Sequence, residues 1–298
     1  MQSGWFGRGV RRAEVERGGD QHQCSGERTA CRRQIFAVPI PGWPALAAAA
    51  AATDAPAPDK VIASIDLAKS FATRTPWRFV ATQGRDVNIE IVDPNDMQPG
   101  EIKLCLTNDS GKTCRADFRH ALSIGGEINL YSDPHYLDKA EIVYPREGGR
   151  PFLLLQIASL PSGDGDSING TRVLKYDRAS DRFVDAYRHL TGHNNNQEIR
   201  YMASGPLRGA IISAEPTGNA PFGYWVTVNR MGPAATYHPV LRYRSATRYS
   251  DGNPLHVIDS EMPAIQQRLG LWRPGQPLPL PPGACAKPQL RNMELWCS

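Results

Sequence analysis

Twelve short apolar or alternating runs punctuate the chain, at residues 78–82, 87–92, 101–106, 127–131, 141–144, 152–160, 171–176, 182–187, 199–203, 210–215, 224–229 and 240–249. Each ends in a cluster of Gly, Pro, Asn, Asp or Ser, the punctuation of antiparallel strands joined by tight turns. Helical periodicity is nearly absent. Residues 261–269 form one short helical candidate, with Pro263 suited to a first turn and Gly270 placed as a stop. Residues 59–71 read as a second helix or as a strand. The expected class is therefore all-β, a single antiparallel domain over 53–272.

Between the propeller-like meander and the β-sandwich, consecutive strands with short links favour the meander. The segment 173–187 carries Tyr-Asp at the end of one strand, a four-residue turn, and Phe183 at the start of the return strand. It resembles the inner-to-outer hairpin of a propeller blade. That resemblance covers about fifteen residues and implies no function. The tail, 273–298, opens with a proline-rich stretch expected to be extended. It is expected to pack on the domain, with Leu295 and Trp296 as an apolar plug.

Ahead of the domain lies a leader, 1–52, that reads as an export signal. Arg32 and Arg33 precede an alanine-heavy apolar run, and a proline-spaced polar stretch follows. Arg32-Arg33-Gln34-Ile35-Phe36 resembles the twin-arginine type of signal, and the ordinary secretory layout fits as well. The expected location is periplasmic or secreted, with no membrane insertion of the mature chain.

Cysteine usage agrees with export. Cys24 and Cys31 fall in the leader, leaving Cys105, Cys114, Cys285 and Cys297 in two close pairs. No CxxC spacing suggests zinc, so disulfides are expected, with three pairings open. Charge excludes one class of partner. Of 34 basic and 30 acidic residues, seven and four precede Thr53, so 27 against 26 remain, a balance of +1. That is no electrostatic footprint for nucleic acid.

Catalytic signatures are missing: there is no GxSxG, HExxH, GxxxxGK[ST] or strand-linked GxGxxG. Asp164, Asp166 and Asn169 in a glycine-rich loop are a weak Ca²⁺ candidate set. A plain turn between strands is the preferred explanation of them. The densest polar region spans 189–261, where Asn196, Glu198, Arg200, Glu215, Tyr224, Trp225, Arg242, Arg244, Arg248 and Asp251 form the candidate binding set. Alternation places Arg242, Arg244 and Arg248 on one face if no bulge intervenes. Arginine forks, amides and aromatic faces suit anionic groups and sugar rings.

Three functions compete for this block, beside a solvated, salt-bridged sheet surface with no ligand. The first is binding of an envelope glycan, an anionic ligand or a protein partner. The second is an envelope glycoside hydrolase with Glu198 and Glu215 as its carboxylate pair, which requires the two to converge. The third is a metal held by His189, His193 and Glu198, which Gly192 disfavours by breaking the helix that spacing needs. Binding is the expected function.

Overall fold

The computed structural model describes residues 59–88, 97–162, 165–192, 196–281 and 286–297. The leader, Cys285, Asp164 and His193 lie outside these residues. The described chain is all-β, built on three four-stranded antiparallel sheets.

Sheet 1 holds β1 (Lys60–Asp66), β2 (Arg78–Gln83), β5 (Ile102–Thr107) and β6 (Ala116–Asp117) in that order. The short ribbon of β3 (Val87–Asn88) and β4 (Met97–Gln98) is inserted between β2 and β5. Sheet 2 is β7 (Tyr136–Val143), β8 (Phe152–Ala158), β9 (Asn169–Asp177) and β10 (Arg182–Thr191). Sheet 3 is β11 (Glu198–Tyr201), β12 (Ile211–Pro216), β13 (Gly223–Met231) and β14 (Tyr237–Arg248). Each sheet is a meander in chain order, and the 173–187 hairpin forms the edge of sheet 2.

Alternation along the strands stacks these sheets face to face. On β8, Leu153, Leu155 and Ile157 pack with Phe79, Leu104 and Leu106 of sheet 1. Phe152 and Leu154 point the other way, onto Tyr201 and Ile211 of sheet 3. A strand covered on both faces loses its polar alternation, which explains the nearly unbroken apolar run of β8. Each fully buried aliphatic side chain contributes about 1.5–3 kcal/mol. Gly170 of β9 is required by this packing, because a Cβ there would lie 2.7 Å from Leu122 Cδ2.

The far face of sheet 3 packs on two short helices, α2 (Val257–Ser260) and α3 (Met262–Arg268), and on Leu295. Leu295 belongs to the C-terminal hairpin of β15 (Pro288–Arg291) and β16 (Glu294–Cys297). Within α3, Pro263 occupies the first turn, where its missing N–H has no partner to lose. Gly270 follows with φ +69°.

Two expectations need correction. Residues 127–131 form turns, not a strand. Ser132 and Asn129 side chains bond the local backbone there, which competes with a sheet ladder. Residues 59–71 are both strand and helix: β1 is followed by α1 (Ala68–Phe71).

A disulfide joins Cys105 to Cys114 across the β5–β6 hairpin. Cys297 is disulfide-bonded as well. Among the described residues, no helix is long and apolar enough to cross a membrane.

Candidate functional site in the cleft between sheets 2 and 3

The two expected carboxylates do not meet. Glu198 stands opposite Ala214 on β11–β12, and Ala214 belongs to the core on the helix side of sheet 3. Glu215, one residue further along β12, projects from the opposite face. The hydrolase reading therefore loses its pair. Glu198 is engaged elsewhere, accepting hydrogen bonds from the N–H groups of Val257 (2.6 Å) and Ile258 (3.1 Å). It caps the start of α2, where backbone donors have no helical partner. Arg200 supports the same junction through its ion pair with Asp259. Replacing Glu198 with Gln should lower unfolding stability by about 1 kcal/mol, the size of a lost cap. Urea denaturation reads this directly, and ligand affinity in the cleft should be unchanged.

Glu215 belongs to a different constellation, positioned by an irregularity in β10. Regular alternation would place Phe183, Asp185, Tyr187 and His189 on one face. The register shifts between Asp185 and Tyr187, leaving Ala186 as the extra residue of a bulge. Beyond it, Tyr187 and His189 turn toward sheet 3, because a bulge resets the alternation. His189 Nε2 then lies 3.1 Å from Glu215 Oε1, and Ser213 Oγ donates to the same oxygen at 3.1 Å.

The His189 contact is the main cause holding the Glu215 carboxyl below its ordinary range of 4.5, and partial burial opposes it. A carboxyl with a lowered pKa in the fold stabilises it when ionised. That contribution is full above pH 4.5 and is lost as pH falls through the lowered value. In a pH series of urea unfolding, the stability gap between wild type and Glu215→Gln should hold near neutrality and close in acid.

Around this contact opens a cleft of ≈ 610 Å³, within the usual range for small-ligand sites. One wall is β10; the other is the sheet 3 row of Ser213, Thr227 and Arg242, directly paired across β12, β13 and β14. Asn229 lies one step along β13. It is 8 % exposed, lines the cleft, and makes no side-chain hydrogen bond among the described residues. Tyr187 and Tyr237 meet edge to face at 5.6 Å on the cleft wall, and the Tyr237 hydroxyl is buried without a hydrogen-bond partner among the described residues.

The arginines of β14 complete the site. Arg242 stacks over the Trp225 ring at 4.7 Å, and Arg244 lies 6.0 Å from the same ring. Among the described residues, neither has a carboxylate within ion-pair distance, nor does Arg248, whereas Arg172, Arg200 and Arg208 all do. Arg242 and Arg244 share one face as the alternation predicts. Arg248 follows a register irregularity and stands opposite Gly223.

Other expected residues serve the fold. Tyr224 is buried on the helix side against Phe222, where burial pushes its phenol up to about 12. Asp251 accepts backbone N–H bonds from Arg248 and Asn253 in a turn. Asn196 lies in the turn before β11. Asn169 is in β9, paired with Ala158 and Thr191, and among the described residues no group of three His, Cys, Asp or Glu could hold a metal. The reading missed Asn229, Tyr187, Ser213 and Tyr237. The one available signal was the strand polarity of Asn229. No family model, curated protein or solved structure matches this chain.

Proposed function

We propose that the chain is an exported β-protein that binds an acidic glycan in the cleft between sheets 2 and 3. What supports this most is the pair Arg242–Arg244, which has no carboxylate within ion-pair distance among the described residues and flanks an aromatic ring beside a cleft lined by hydroxyls and amides. Arginine forks take carboxylates in two parallel hydrogen bonds. The Asn229 amide, nine-tenths buried and with no side-chain hydrogen bond among the described residues, would satisfy sugar hydroxyls, as would Ser213 and Thr227. Export rests on the leader and accords with the Cys105–Cys114 disulfide, which an oxidising compartment sustains.

Catalysis is the weaker reading for this cleft. A general acid near neutrality needs a raised pKa, and Glu215 has the opposite. The test is calorimetric titration of the full chain at low salt with trigalacturonate and with its methyl ester. Binding of the acid, with about tenfold or greater loss for the uncharged ester, is expected. Equal affinity for the two, or binding of neither, would overturn the proposal.

A further inference from the structure

A second cavity, of ≈ 350 Å³, opens on the far side of the same sheet pair. It is lined by Asp138, Gln156, Asn169 and Thr171 of sheet 2, by Gln197 immediately before β11, and by Ile199 of sheet 3. Asp138 reaches it through a second bulge: on β7, Leu137 pairs with Ile157 and Lys139 with Gln156, so Asp138 is the extra residue. Bulges of this kind re-aim a side chain and recur beside functional sites.

We infer that this cavity is a separate binding site for one neutral sugar ring or small polyol, held by Asp138 and Gln197. Gln197 Nε2 is buried with no hydrogen-bond acceptor among the described residues. Asp138 has no cation and no hydrogen-bond donor among the described residues, and burial pushes its carboxyl up. A carboxylate acceptor and an amide donor sharing one cavity match adjacent hydroxyls, one donating to Asp138 and its neighbour accepting from Gln197. An anion would meet the charge of Asp138, with Glu198 also on the wall. A cation would meet the Gln197 donor. Arg200, which also lines the cavity, is already paired with Asp259. The volume lies at the lower end for small-ligand pockets, which suits a single ring.

This site stands on different residues from the acidic-glycan cleft and takes a different chemistry, so the two succeed or fail separately. The test is amide NMR of the full chain titrated with methyl glucoside, methyl galactoside, methyl mannoside and inositol. At least one should give saturable shifts of the Gln197 side-chain amide and of the backbone at residues 138, 156 and 171. Asp138→Asn and Gln197→Ala should each weaken that binding about tenfold, whereas Arg242→Ala with Arg244→Ala should leave it unchanged. Asp138→Asn removes an unpaired charge, so its melting temperature should equal or exceed that of wild type. No saturable shift with any probe, or shifts confined to Ser213 and Asn229, would overturn the inference.

Discussion

Replacing Glu261 with alanine should destabilise the domain by about 3–5 kcal/mol, a large share of the 5–15 kcal/mol typical of a native protein. Glu261 stands at the junction of α2 and α3 and is 1 % exposed. Its carboxyl accepts from the Tyr243 hydroxyl at 2.8 Å, the Thr247 N–H at 3.1 Å and the Thr247 hydroxyl at 2.8 Å. All three donors are buried, and each one left without an acceptor costs about 1–3 kcal/mol. The network also fixes the end of β14 against the helices, with Arg268 stacked on Tyr243 at 4.3 Å. Urea denaturation measures the loss. A change below about 1 kcal/mol would mean that water or repacking replaces the carboxyl.

Arg242→Ala combined with Arg244→Ala should have the largest effect on binding, about a hundredfold or more on the affinity for trigalacturonate. Hydrogen bonds to charged groups are worth about 1.5–3 kcal/mol each, and every 1.4 kcal/mol is a factor of ten. Neither arginine has a carboxylate within ion-pair distance among the described residues, and the Glu215 carboxylate, which Arg242 favours only as a lesser cause, keeps its His189 and Ser213 contacts. Stability should therefore change little, which separates lost contact from lost fold. Some loss of Trp225 packing is expected, since the guanidinium of Arg242 covers that ring. The wild-type affinity should also fall with added salt, more steeply than that of the double variant.

Much of the strand architecture was legible because the relevant signals are local. Alternation within β2 and β5 and the turn residues between strands fix both element type and facing. The apolar run 152–160 marked a strand, and its burial on both faces emerged only from the stacking of the sheets. The segment 127–131 misled because Ile128 and Leu130 alternate as in a strand, yet they are 67 % and 44 % exposed in a loop held by side-chain bonds.

The site was legible in part. Arg242, Arg244 and Trp225 could be placed together because their facing follows from alternation on adjacent strands. The role of Glu198 was not readable, since its partners Val257 and Ile258 lie 59 and 60 residues away. Nor were the bulges at Asp138 and Ala186, because an inserted residue leaves a plausible alternation on either side. Yet these two bulges decide which side chains enter the two cavities. Strict alternation would set Tyr187 on the face of Phe183; the shift at Ala186 separates them and sets His189 against Glu215.

Acidic-glycan binding in the cleft is tested most directly by amide NMR of the full chain during titration with trigalacturonate. Saturable perturbations at His189, Ser213, Asn229 and Arg242 are the expected result. Perturbations confined to other parts of the chain, or none at saturating ligand, would contradict it.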